Sequence, residues 1–216
     1  MGQANLSFWV EIIGTIAFAS SGAMVGIKKE MDLFGIMVLA VTTALGGGLI
    51  RDLVLGNTPP AMFGNWSYAA TAVATAVVLF IIVYMRKDAL TSRWMAGYER
   101  VMVLLDAIGL GAFTVIGIET ALRFQHQDDT FLLLFVAVIT GVGGGLLRDV
   151  MAGNMPFIFV KHIYAVASLC GAVVCIVLGR MWSYQYGMLI GAITVVVMRI
   201  LAAKYHWNLP KIKRED

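Results

Sequence analysis

Two stretches, TALGGGLIRDLVLGN at 43–57 and TGVGGGLLRDVMAGN at 140–154, place three glycines, an arginine and an aspartate at the same spacing inside apolar sequence. They contribute Arg51, Asp52, Arg148 and Asp149, and two more carboxylates, Glu11 and Asp106, stand in other apolar runs. Ionisable side chains in such surroundings are costly unless they face a protein interior with a partner, so each is a candidate gate or ion-pair residue. The triplets are Gly46, Gly47, Gly48 and Gly143, Gly144, Gly145. One glycine inside a helix costs about 1 kcal/mol relative to alanine, and three in a row invite unwinding. Within a membrane, freed backbone groups are tolerated only where protein buries them or water reaches them. The triplets therefore predict a kink or break whose carbonyls line a polar pathway and attract a cation. Close helix packing through glycine is the competing reading. Thr15, Ser20 and Ser21 add small polar groups that suit either a path or helix–helix hydrogen bonds.

Adjacent helical positions point about 100° apart, so Arg51 and Asp52 are not expected to be each other's main partner. Depth along the spans predicts the pairs Glu11–Arg51 and Asp106–Arg148, one near each membrane face. Gly56-Asn57 and Gly153-Asn154, with Pro59, Pro60 and Pro156 just after, read as helix stops. A nucleotide-binding glycine loop needs a strand before it and a soluble helix after it, and neither is present. Cys170 and Cys175 read as small buried hydrophobes, and His126, His162 and His206 fall outside the spans or at their ends. No metal set, Ser–His or His–acid constellation assembles, so neither an enzyme nor a cofactor is expected.

The elements that must position these residues follow from the hydropathy. Of 216 residues 60% are hydrophobic and 13% charged, with mean hydropathy +0.84. Crossing a hydrocarbon core takes roughly 20 mostly apolar residues. Seven runs qualify, at about 8–27, 33–55, 66–85, 101–122, 130–152, 162–179 and 185–203. The chain reads as an all-α, multi-pass membrane protein, one transmembrane domain over 1–216. The N-terminus lacks the pattern of a cleaved signal peptide, and MGQANLS misses the myristoylation pattern, so the first span is expected to remain. The N-terminus and the loops after spans 2, 4 and 6 carry only Arg123 and Arg180. The other face carries Lys28, Lys29, Arg86, Lys87, Arg93, Arg100, Lys161, Lys204, Lys211, Lys213 and Arg214. The positive-inside rule then puts the N-terminus outside and the C-terminus in the cytoplasm. Because topology accounts for the basic residues, nucleic acid is not expected as a partner.

The two glycine phrases belong to a longer duplication. Gly46 to Pro59 matches Gly143 to Pro156 at an offset of 97. Glu11, Gly14, Ala17, Phe18 and Gly22 match Asp106, Gly109, Ala112, Phe113 and Gly117 at 95, and Tyr68-Ala69 matches Tyr164-Ala165 at 96. Each copy holds three spans, an odd number, so the second enters the membrane from the opposite side. The fold expected is two inverted three-helix repeats, 8–85 and 101–179, plus a seventh helix at 185–204.

The phrases GGGLIRDLVLGNTP and GGGLLRDVMAGNMP in a 3+3+1 arrangement resemble the prokaryotic branch of the TRIC family, the trimeric intracellular cation channels, a bacterial group also named for a glycine-transporter domain. The resemblance covers spans 1 to 6. It implies a homotrimer in the bacterial inner membrane, each subunit with its own potassium-permeable, monovalent-cation pore beside glycine-kinked helices 2 and 5. It places Gly46–Gly48 and Gly143–Gly145 at the kinks, with Arg51 and Arg148 as neutralised gate or scaffold residues. The lipid-binding motif of animal members is not placed on the KIKRED tail, so lipid regulation is not carried over from the resemblance and lipid enters as the surrounding membrane. A secondary transporter for glycine or another small amino acid is the alternative, since inverted repeats with broken helices suit transporters equally. A membrane scaffold whose glycines only pack is a third reading.

Overall fold

In a hydrocarbon environment every backbone amide must find its partner within the chain, which leaves a long apolar segment the helix as its spanning form. The computed structural model describes residues 2–85, 92–124, 128–160 and 163–207. Among them are helices α1 (Gly2–Lys28), α2 (Leu33–Val54), α3 (Ala61–Gly64), α4 (Ser67–Met85), α5 (Ser92–Arg123), α6 (Thr130–Met151), α7 (Phe157–Val160), α8 (Tyr164–Met181) and α9 (Tyr184–Lys204), with no strand. Seven are long and apolar enough to cross a membrane, and α3 and α7 are single turns between spans. Arg86, Lys87, Lys161, Lys211, Lys213 and Arg214 of the basic face, and His126 and His162, lie outside the described residues.

Polar residues set the helix ends. Asp32 accepts a hydrogen bond from Gly35 N at 2.7 Å, Asp129 from Leu132 N at 2.9 Å and Ser183 from Gln185 N at 3.3 Å. These are N-caps that satisfy otherwise orphaned first-turn amides. Lys28, Arg51, Arg123, Arg148, Arg180 and Lys204 stand in last turns, where a cation complements the helix dipole. The Gly-Asn stops are Schellman ends: Gly56 and Gly153 sit at φ +71° and +65°. Asn57 N then reaches back to Asp52 O, and Asn154 N to Asp149 O, both at 2.8 Å.

Packing is reciprocal between the two halves. A Cβ on Gly14 would meet Ala112 and the ring of Phe113, and one on Gly109 would meet the ring of Phe18. The two phenyl rings stack with centroids 5.4 Å apart. Where α2 crosses α6, a Cβ on Gly47 would collide with Thr140 O and one on Gly144 with Thr43 O. Residue pairs related this way, i against j and j against i, are the mark of a local two-fold axis. Thr43 and Thr140 bond their hydroxyls to Leu39 O and Val136 O of their own helices, at 2.6 and 2.5 Å. Their own carbonyls then face the opposing glycine, as close C–H···O contact across helices requires.

The expected helix break is absent: α2 and α6 run continuously as α-helix through both triplets. Away from water nothing competes for the backbone hydrogen bonds, so the glycines keep them. Gly46, Gly47, Gly143 and Gly144 face the opposite helix: Gly46 stands against Leu147, Gly143 against Gly47 Cα at 3.0 Å. Gly48 and Gly145, one turn before each arginine, leave room for the guanidinium, with Arg51 Nη2 and Arg148 Nη2 at 3.6 and 3.7 Å from the missing Cβ. The triplets are therefore a close crossing and two guanidinium seats, in place of broken, carbonyl-exposing segments.

The same logic holds within each half. A Cβ on Gly22 would lie 2.9 Å from Ala40 Cα, and one on Gly117 2.9 Å from Ala137 Cα. Gly22→Val and Gly117→Val should each cost roughly 1–3 kcal/mol by overpacking, read as a lowered unfolding temperature in detergent. Gly97→Ala, on α5 with nothing within 4 Å, should be neutral or stabilising by about 0.5–1 kcal/mol. Equal losses at all three positions would contradict this packing.

Candidate functional site

Arg148 closes the last turn of α6 and is fully buried. Its Nη1 donates to Asp106 Oδ1 on α5 and to Ser21 Oγ on α1, both at 2.5 Å. Its Nε donates to Asp149 Oδ1 at 2.8 Å, and its guanidinium lies 5.2 Å from the Phe157 ring centroid. Asp149 uses its other oxygen to accept from Phe157 N at 3.0 Å, pinning the start of α7. One guanidinium thus faces two carboxylates, a satisfied arrangement that a lone buried charge would not allow. Asp106 Oδ2, Arg148 Nη2 and Tyr164 Oη are buried nearby without a hydrogen bond of good geometry among the described residues, the Tyr164 hydroxyl standing beside the Asp106 carboxylate. Gly145, whose missing Cβ would lie 2.8 Å from Tyr164 Oη, lets the phenol pack directly against α6 beside the guanidinium.

The first repeat uses the same residues differently. Arg51 Nε donates to Asp52 Oδ1 at 2.8 Å, and Asp52 Oδ2 accepts from Ala61 N at 2.8 Å, pinning α3 as Asp149 pins α7. Glu11 does not pair with Arg51. It accepts a hydrogen bond from Tyr68 Oη on α4 instead. Two sequence expectations are corrected here. The pair Glu11–Arg51 is not formed, although Asp106 and Arg148 do meet. Arg51 and Asp52, adjacent in sequence, are partners, and so are Arg148 and Asp149. The reason is reach: the arginine side chain folds back along its helix until Nε meets a carboxylate that the following turn already holds.

The difference between halves follows from two residues. Glu11 is one methylene longer than Asp106, its counterpart, and accepts from Tyr68, whereas the shorter Asp106 takes the guanidinium of Arg148 with Tyr164 beside it. Ser21, which joins Arg148 to Asp106, has Ile116 at the matching place in the second repeat, so Arg51 finds no such hydroxyl. Of the three small polar residues on α1, Ser21 enters a cluster; Thr15 and Ser20 are buried outside both.

Several residues of the site were not singled out from the sequence. Tyr68 and Tyr164 recur at the repeat offset, which was their signal. Arg199 on α9 and Glu119 on α5 lie within spans, and the cost of an intramembrane charge marks both. Arg199 is buried with its guanidinium 4.7 Å from the Tyr164 ring centroid. Glu119 accepts from Ser7 Oγ and from Arg123 Nη2, each at 2.6 Å. Among the described residues, no group of three or more His, Cys, Asp or Glu is placed to hold a metal ion.

Removing the cation from between two carboxylates should cost more than removing it from one. Arg148→Met is expected to destabilise by roughly 3–5 kcal/mol, the range for breaking a buried pair, and Arg51→Met by clearly less. Thermal unfolding in detergent checks the order; equal losses would contradict the asymmetry.

The glycine-transporter family model matches residues 8–84 and 103–180, the two halves separately. The chain is 34% identical over 213 residues to the inner membrane protein YadS of Escherichia coli K12, covering 98% of each chain. It is 33% identical to the membrane protein YvgT of Bacillus subtilis, covering 93% of this chain and 94% of that one. Among solved structures it resembles one described for conductance through TRIC cation channels, with TM-score 0.81, 34% identity and 96% and 97% coverage. It also resembles the TRIC orthologue of Rhodobacter sphaeroides, with TM-score 0.82, 30% identity and 93% and 98% coverage. A prokaryotic TRIC channel crystallised in 0.5 M KCl gives TM-score 0.84 at 28% identity, with 96% and 100% coverage. These likenesses are to ion channels and inner-membrane proteins, and with seven apolar helices they make this a multi-pass integral membrane protein. The chain belongs to the glycine-transporter family, within the prokaryotic branch of the TRIC channels.

Proposed function

We propose that the protein is a homotrimeric, potassium-permeable channel for monovalent cations, with one pore inside each subunit. The observation that carries this reading is the likeness to TRIC cation channels over 93–96% of the chain. The pathway runs beside α2 and α6, past the buried clusters that end them, with the repeats 8–85 and 101–179 inverted about the glycine crossing. The reciprocal contacts Gly47–Thr140 and Gly144–Thr43 support that inversion. Arg51 and Arg148 are held by carboxylates, so they do not present bare positive charge to a permeant cation. Gating would then consist of exchanging these internal partners. The N-terminus lies outside and the basic face in the cytoplasm, supported by the distribution of Lys and Arg.

The family's name favours a second reading, uptake of glycine. Single-channel recording of purified protein in planar bilayers, under potassium and sodium gradients with and without glycine, separates the two. The channel reading expects unitary potassium currents that glycine does not alter. Saturable glycine uptake without current would overturn it.

A further inference from the structure

Ser21 on α1 reaches the Asp106 carboxylate on α5, so these two residues mark one depth in the protein. Glu11, ten positions earlier on α1, marks the depth of the other cluster. Ten helical residues rise about 15 Å. Phe18 and Phe113, counterparts in the two repeats, stand within this interval, each seven positions from the carboxylate of its own repeat. The contacts Gly14–Phe113, Phe18–Gly109 and Ser21–Asp106 show that α1 and α5 pack antiparallel. Helical side chains lean toward the N-terminus of their own helix, so the two rings lean toward one another. They stack with centroids 5.4 Å and planes 24° apart, and both are buried. The pair also borders the α2–α6 crossing, since the missing Cβ of Gly144 would lie 3.2 Å from the Phe18 ring. Over the same interval Thr43, Thr140 and Thr114 bond their hydroxyls to Leu39 O, Val136 O and Leu110 O of their own helices. Thr15 and Ser20 are the further hydroxyls of α1 at this depth, and both are buried.

We propose that the stacked pair Phe18–Phe113 is the hydrophobic barrier of the ion path, the segment that must take up water before a cation crosses. The inference rests on cation conduction as the function, along a path beside α2 and α6. In inverted-repeat folds the functional site lies near the membrane midplane, where the two repeats meet. Here that place is filled by two phenyl rings lying against glycine backbone. A constriction lined by apolar groups gates by dewetting. A cation entering it would lose its hydration without receiving oxygens in exchange, and an uncompensated charge in apolar surroundings is costly. The Glu11 and Asp106 clusters bound the layer on either side. Wetting the rings' layer therefore joins two polar ends into one continuous route, and any change that admits water there raises the current.

The test is single-channel recording of the full chain in planar bilayers with symmetric KCl, comparing Phe113→Ser, Phe18→Ser and Phe113→Leu with the unaltered protein. Serine removes a ring and brings a hydroxyl, whereas leucine removes the ring and stays apolar. Time-averaged current should rise at least about fivefold in each serine variant and under about twofold in the leucine variant. All three variants lose core volume, so a lowered unfolding temperature is common to them and the currents alone carry the distinction. Phe18 is the more deeply buried ring, at 1% against 7% exposure. If Phe18→Ser does not fold, Phe113→Ser decides. Serine variants that conduct no more than the unaltered protein would overturn this inference alone. So would a leucine variant that gains as much as serine, because loosened packing would then be the cause and wetting would not. Absence of any current, from the unaltered protein and the variants alike, would overturn the channel reading with it.

Discussion

The close crossing of α2 and α6 is the constraint on which the rest depends. Two helices can approach backbone to backbone only where neither carries a side chain. Here Gly47 faces the carbonyl of Thr140 and Gly144 that of Thr43, with Gly46 and Gly143 extending the contact. In lipid no hydrophobic force drives helices together, so small-residue contact and dispersion must do it. That contact fixes the relative position of two helices whose last turns carry Arg51 and Arg148. Each arginine is then placed to meet what α1, α5 and the following turn supply.

Each phrase encodes a chain of local events. The first two glycines make the crossing, the third seats the guanidinium, the Arg-Asp pair forms the ionic core, and Gly-Asn reverses the chain. The aspartate ties these together, since one oxygen holds the arginine and the other accepts the amide of the returning turn, Ala61 or Phe157. Charge, helix end and re-entry are thus one unit repeated twice. The halves differ where a single methylene at Glu11 and a hydroxyl at Ser21 redirect the partners, and where α9 adds Arg199 to one side only.

The spans were legible to within about two residues because long apolar runs admit one structure in a membrane. The duplication was legible because three offsets differing by one or two residues align the same elements. The Asp106–Arg148 contact followed from depth alone. Depth could not settle Glu11, whose choice between Arg51 and Tyr68 turns on side-chain length and on where α4 packs. The adjacent Arg-Asp partnership is not legible from helical direction because that direction describes Cβ positions, while the arginine Nε that meets the carboxylate lies three bonds farther out. The glycines were ambiguous because unwinding and close packing call for the same residue, and only the facing helix decides between them.

The central claim is that the triplets join α2 to α6 at backbone contact. A Cβ on Gly46 would lie 3.9 Å from Leu147 Cβ, inside the roughly 3.5–4.5 Å range that a disulfide requires. The direct measurement uses Gly46→Cys/Leu147→Cys in a background with Cys170 and Cys175 replaced by alanine, with a protease site inserted between α4 and α5. Mild oxidation should join the two fragments on a non-reducing gel, and reductant should separate them. Fragments that stay separate after oxidation, in protein that still elutes as the folded species, would contradict the crossing.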